Sequence, residues 1–145
     1  MIPSPGNEKY EETAHSPEGI EMVLDTNILI YAATREFPDL DALLSSGQFA
    51  ASVITRIEAF GFTRLEAAEK TALDALFTTL RLLPLSDAVA EQAIYLRQRR
   101  KIRLADAIIA ATALVYGLPL VTRNIDDYKH ITALTLINPF APSAS

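Results

Sequence analysis

Four acidic residues, far apart in the chain but each set against a short apolar stretch, constrain this sequence more than any other feature. Met22-Val23-Leu24 leads into Asp25, and Thr26-Asn27 and a helix-like apolar stretch follow. Glu58 comes after Ala50-Ala51-Ser52-Val53-Ile54-Thr55. Asp106 opens the apolar run 107–114, and Asp127 lies just past Leu118-Pro119-Leu120-Val121-Thr122. A buried carboxylate is costly unless a proton or a cation neutralises it. A chain that places several beside its core elements is therefore expected to gather them into a metal site. With no cysteine and only two histidines, the available ligands are mainly oxygens, which favours a hard cation such as Mg²⁺ or Mn²⁺ over zinc.

Around these acids the pattern alternates between strand-like and helix-like segments. Strands are expected over 21–25, 49–54, 82–85, 118–122 and 135–137, with Pro84 marking a sheet edge or a strand end. Helices are expected over 27–34 and 39–44, and over 66–80 with a stripe of Ala68, Ala72, Leu73, Leu76 and Leu80. Ser52 or Thr55 can cap a helix that carries Glu58 and that Gly61 interrupts. Ser86 and Asp87 start a helix running to about Arg99. The segment 104–116 is nearly all apolar up to Gly117, so it is expected to be buried on most sides. The strands lack polar alternation and no Asn-Gly hairpin signal occurs. The expected fold is therefore an α/β sandwich, with helices flanking a central, mainly parallel sheet. Ligands of such sheets bind beyond the carboxyl ends of the strands, where Asp25 and Asp127 fall.

At 145 residues, half of them hydrophobic, the chain has the size of one domain with a proper core. The absence of cysteine excludes a disulfide scaffold and suits a reducing cytoplasm. No apolar run approaches the roughly 20 residues of a membrane span, and no signal-peptide pattern opens the chain. Residues 1–21 read as an acidic flexible arm, 22–140 as the folded body and 141–145 as a flexible tail. Met22 stands directly ahead of the first core strand and has the position of a natural start, with the arm, including a solvated His15, an upstream extension.

The net charge of −5 argues against a nucleic-acid partner until its distribution is considered. The arm carries five glutamates against one lysine, so the other 124 residues sum to only −1. Within them Arg97, Arg99, Arg100, Lys101 and Arg103 place five cations in seven residues. Such a run can be a solvated helix end whose charges suit the C-terminal dipole. It can equally be a patch that grips phosphates, and Asp106 follows it three residues on.

Each acid also has a bland reading. Asp25 can simply cap the next helix, or sit at the sheet edge with Thr26 and Asn27 supporting it by side-chain hydrogen bonds. Glu58 can complement a helix N-terminus. Asp106 shares a helix face with Ile109, Ala110 and Ala113, so a solvated position suits it least. In Thr122-Arg123-Asn124-Ile125-Asp126-Asp127-Tyr128 either aspartate can be the inward one. Asp127, with Asn124 near it, is preferred.

Taken together, Val23-Leu24-Asp25-Thr26-Asn27, the segment around Glu58, Leu104-Ala105-Asp106-Ala107-Ile108-Ile109-Ala110-Ala111-Thr112-Ala113 and the segment 120–128 resemble the four motifs of PIN-domain ribonucleases. The match is closest to the VapC toxins of type II toxin–antitoxin modules, in order and spacing from Met22 to about Pro139. The resemblance implies a PIN-like three-layer sandwich. It also implies that Asp25, Glu58, Asp106 and Asp127 bind Mg²⁺ or Mn²⁺, with Thr26, Thr122 and Asn124 as supporting residues. Tyr128 stands where phenylalanine is commoner, a mild change at a packing position.

The activity so implied is metal-dependent endoribonucleolytic hydrolysis of RNA by a toxin. Its partners would be a small antitoxin covering the acidic site and a second copy in a homodimer. Leu29, Ile30, Tyr31, Leu43, Leu44, Phe60 and Phe62 offer apolar surface for such contacts. The arm is expected to be dispensable for both catalysis and dimerisation. The main rival is a non-catalytic PIN-like module that binds RNA or protein, against which the presence of all four acids speaks. A phosphotransfer enzyme using Asp25 as nucleophile would want a second aspartate two positions on, and Asn27 stands there. No phosphate-binding glycine loop occurs, and His130 is expected at the surface or on the RNA side.

Overall fold

The computed structural model describes residues 20–34 and 37–140, so the expectations for His15, for most of the arm and for the tail fall outside it. Five strands form one sheet: β1 (Glu21–Leu24), β2 (Gln48–Ser52), β3 (Arg81–Leu83), β4 (Leu120–Val121) and β5 (Leu136–Ile137). Their spatial order is β3-β2-β1-β4-β5 and every pairing is parallel. The α1 (Thr26–Thr34), α2 (Pro38–Ser46), α3 (Val53–Phe60) and α4 (Ala67–Phe77) helices come before β3. They are followed by α5 (Asp87–Arg99), α6 (Leu104–Tyr116) and the short α7 (Ile125–Tyr128). The α/β sandwich expected from the sequence is the fold observed.

The central strands bury both faces, and this explains their unbroken apolar character. Because side chains alternate along a strand, Val23, Ala50 and Leu120 join one core while Met22, Leu24, Phe49, Ala51 and Val121 join the other. The first core is completed by α5 and α6 through Val89, Leu96, Ile109 and Ala113. The second is completed by α1 through Ile28 and Leu29, and by Leu40 of α2. Each leucine or isoleucine held there contributes about 1.5–3 kcal/mol of burial. Among the described residues no helix is long and apolar enough to cross a membrane.

Local signals set most boundaries. The Ser86 hydroxyl accepts from Val89 N at 3.2 Å and starts α5, while Gly117, at φ 67°, closes α6 in the left-handed region that glycine enters freely. Pro38 occupies the first turn of α2, extending it beyond the expected 39–44. Other boundaries shift. The second strand ends at Ser52, which caps α3 by accepting from Ile54 N at 3.1 Å. Val53 and Ile54 are therefore helical, and Thr55 is a buried residue within the helix and not its cap. The fourth helix stops at Phe77, short of Leu80, with Leu73 its one fully buried residue and Ala68 exposed. The third strand lies at the sheet edge and ends before Pro84, as a ring without an N–H requires. The apolar surface expected from the sequence is also corrected: Leu29 is wholly buried, and Tyr31, Leu43, Leu44 and Phe60 are partly so. Of that set, Ile30 and Phe62 remain exposed, at 36% and 58%.

Candidate active site

The order of the strands decides where the acids meet. Successive strands run from β1 outward to β3, and the chain then returns to the other side of β1 to add β4 and β5. The carboxyl ends of β1 and β4 thus flank the point where the winding reverses, the place where parallel sheets hold their ligands. Asp25 leaves β1 there, with its N–H bonded to Val121 O at 2.9 Å.

Asp25 is only 5% exposed. It stands at the cap position of α1, yet its carboxylate takes only the first helical N–H, that of Thr26 at 2.8 Å to Oδ1. Oδ2 accepts instead from the Thr122 hydroxyl at 2.7 Å, across 97 positions of chain. Capping alone does not call for that second bond. Burial raises the Asp25 pKa, and the nearby charges of Asp106 and Glu58 raise it further against these two hydrogen bonds.

Glu58 enters from α3. It lies in the last turn of that helix, where the dipole disfavours a negative charge, so the expected bland reading of a helix N-terminus does not apply. The Thr26 hydroxyl donates to Glu58 Oε1 at 2.7 Å and pairs with the Thr55 hydroxyl at 3.1 Å. Thr26 thereby ties Asp25 to Glu58. Arg103 approaches Glu58 at 3.9 Å but is 77% exposed, so this pair contributes little.

Asp106 sits half-buried in the first turn of α6. Burial raises its pKa first, Arg103 and a hydrogen bond from Tyr128 oppose that, and Asp127 and Glu58 raise it again. Asp127 and Asp126 are both exposed on α7. The charge of Asp127 acts on Asp106 and Tyr128, whereas Asp126 pairs with Lys129 at 2.9 Å. Asp106 is thus the acid that the charges of Asp25, Glu58 and Asp127 all reach.

The supporting residues divide. Thr26 and Thr122 are buried and hydrogen-bonded to the acids. Asn124 is exposed and acts through its backbone, its N–H donating to Thr122 Oγ1 at 3.0 Å. Asn27 is exposed on α1, away from the hydrogen bonds that link Asp25, Thr26 and Glu58. Tyr128, read from the sequence as a packing residue, is 1% exposed and donates to Asp106 Oδ1 at 3.2 Å. A tyrosine directly after two acids in a polar cluster was the signal for it.

Beside Asp106 and Asp127 opens a cavity of about 470 Å³ whose wall includes Arg97, Arg100, Lys101, Arg103, Asp126 and His130. Arg99 is placed differently. Its guanidinium lies 3.5 Å from the centre of the Tyr95 ring and donates to Tyr95 O. His130 Nε2 is buried and has no hydrogen-bond partner among the described residues, and burial, followed by Arg100, lowers the imidazole pKa.

A parallel sheet with acids drawn to its winding reversal places the chain in a known class. The chain belongs to the PIN domain family, which it matches over residues 22–134. Within that family it is VapC-like. It is 32% identical to a protein in a toxin–antitoxin complex from Klebsiella pneumoniae, over 83% of this chain and 99% of that one, with a TM-score of 0.71. It is 27% identical to a chain of FitAcB from Neisseria gonorrhoeae, over 83% and 99%, at a TM-score of 0.68. A chain of VapBC2 from Rickettsia felis, solved with a DNA fragment from its promoter, is 25% identical over 82% and 98%, at a TM-score of 0.72. No curated protein matches at a significant level.

Proposed function

We propose that this chain is the toxin of a toxin–antitoxin pair and acts in the cytoplasm as a Mg²⁺- or Mn²⁺-dependent endoribonuclease. The observation that carries the reading is Asp25. It is a nearly inaccessible carboxylate whose charged neighbours are two further acids, Asp106 and Glu58. That arrangement is unfavourable alone and favourable around a cation.

The donors fit such an ion. They are all oxygens, and Asp25, Asp106, Glu58 and Asp127 would hold it. Among the described residues no three histidine, aspartate or glutamate side chains are gathered closely enough to hold an ion by themselves. Mg²⁺ commonly keeps several waters and takes one or two carboxylates directly, so part of this set would act through water. When bound, the ion supplies positive charge to the scissile phosphate and acidifies the attacking water.

The chain's own residues do the rest. Thr122 and the Thr26 N–H hold Asp25 in one orientation, and Thr26 fixes Glu58 relative to it. Glu58 or Asp127 accepts the proton of the attacking water. Arg97, Arg100, Lys101 and Arg103 hold phosphates flanking the cleaved bond, which sets RNA against the acids. Glu21, read from the sequence as the end of the arm, instead opens β1 and pairs with Arg81 at 2.6 Å. The residues ahead of it take no part in catalysis, and the exposed Ile30 and Phe62 offer contacts to an antitoxin or a second copy.

The test is cleavage of RNA by the purified protein with Mn²⁺ and after chelation; cleavage that survives chelation overturns the reading. The basic wall has its own expected result. Replacing Arg100 and Lys101 together by alanine should weaken RNA binding across sequences and reduce the salt slope by about 1 to 2. Arg99→Ala should do much less, because its guanidinium is engaged with Tyr95. Equal losses from both replacements would show that the run acts only as diffuse charge.

A further inference from the structure

We infer that Tyr128 is a positioning residue for Asp106, and that its buried hydroxyl raises the affinity of the acidic site for a divalent cation. The inference rests on the metal-dependent reading above and goes beyond it to a residue that reading does not use. The three inner acids differ in how they are held. Asp25 is fixed through both oxygens, by Thr26 N and by Thr122, and Glu58 is fixed by the Thr26 hydroxyl.

Asp106 has one hydrogen-bond donor among the described residues, the Tyr128 hydroxyl, at 3.2 Å to Oδ1. Arg103 acts on it as a charge from a largely exposed side chain, and cannot set its rotation. The tyrosine can. Its ring belongs to the same core cluster as Val23, Ala107 and Ile131, so the hydroxyl is anchored from behind by close packing.

The direction of that bond matters. A donor on Oδ1 turns the carboxylate about its Cβ–Cγ bond and leaves Oδ2, which accepts no hydrogen bond among the described residues, to face a cation. A partner of this kind behind a ligand orients it before the ion arrives, and its removal commonly weakens metal affinity by 10- to 100-fold. Because α7 carries both Tyr128 and Asp127, the same short helix brings one acid and the donor that orients another.

The experiment compares Mn²⁺ binding by calorimetry in the full chain, in Tyr128→Phe and in Asp25→Asn. We expect Tyr128→Phe to weaken Mn²⁺ binding by about 10-fold. Cleavage should fall by a similar factor at limiting Mn²⁺ and return to near the parent rate at saturating Mn²⁺, with an unchanged KM for RNA. A merely structural loss would lower the metal-free melting temperature and would not be restored by metal. Tyr128→Phe is also made in an Asp106→Asn background, where the hydroxyl has no charged acceptor and no further loss of Mn²⁺ affinity is expected. An equal loss in both backgrounds, or an affinity within about twofold of the parent, overturns the role of Tyr128 alone. If the parent binds Mn²⁺ no better than Asp25→Asn, the metal-dependent reading fails and takes this inference with it.

Discussion

Asp25→Asn and Asp106→Asn are each expected to lower Mn²⁺-dependent RNA cleavage by about 100-fold or more, with the fold intact. A cation at the scissile phosphate stabilises transition-state charge by several kcal/mol, and about 1.4 kcal/mol corresponds to each tenfold in rate. Both substitutions keep the size and planarity of the side chain and remove its charge. At Asp25 the amide oxygen can still accept from Thr26 N or from Thr122, so the junction of β1 and β4 has no reason to open. Glu58→Gln and Asp127→Asn should cost less, since these acids serve through water or by taking a proton, and Asp127 is exposed. Cleavage assays at fixed Mn²⁺, with circular dichroism as the check on folding, measure this. An Asp106→Asn protein that cuts RNA at the parent rate would remove the basis for the assignment.

The second large effect is on stability. Burial, followed by the neighbouring acids, raises the carboxyl pKa of Asp25 in the metal-free fold, and burial raises that of Asp106. In the unfolded chain both return to ordinary values, so between the ordinary and the raised pKa the folded state binds more protons than the unfolded one. Metal-free stability therefore falls as pH rises through that window and stays lower above it. Near neutral pH Asp25 faces Asp106 and Glu58, while Asp106 faces Glu58 and Asp127, opposed by the largely exposed Arg103. Asp25→Asn is accordingly expected to melt a few degrees above the metal-free parent, an inactive variant that is the more stable one.

Mn²⁺ should reverse that order. A ligand at a hundred times its dissociation constant adds about 2.7 kcal/mol to the folded state, or about 5 °C or more for a chain of this size. The parent should gain this and Asp25→Asn should not. Thermal melts with and without Mn²⁺, repeated from acid to neutral pH, give both results. A parent indifferent to Mn²⁺ and less stable in acid than near neutrality would show that the acids do not share a site.

Much of this protein can be read from its chain because the signals are local. Ser86 and Gly117 bound their helices through a hydroxyl and a missing Cβ, which depend on nothing distant. The unbroken apolar strands imply a sheet covered on both faces, and the alternation of Val23 with Met22 and Leu24 between two cores is its physical form. The four acidic motifs resemble those of the family to which the chain belongs. Where local signals were balanced, reading along the chain went astray. Val53 and Ile54 suit a strand as well as a helix, and only the Ser52 cap settles the boundary. That shift carries Glu58 from a helix start to a helix end.

The sequence by itself determined which residues are apolar, which are acidic and in what order they come, and these specify a parallel sandwich with carboxylates at strand ends. Tertiary structure alone decided who meets whom. The Asp25–Thr122 bond exists because β4 returns to lie beside β1, a pairing that nothing near either residue encodes. Leu29 is core while Ile30 is exposed because α1 turns one face to the sheet. Arg99 bends to Tyr95 while Arg100 lines the cavity, and Tyr128 reaches Asp106 from a short helix hidden in a polar stretch. The Asp25–Thr122 and Tyr128–Asp106 contacts join segments far apart in the chain, and their geometry is set by packing that only the closed fold supplies.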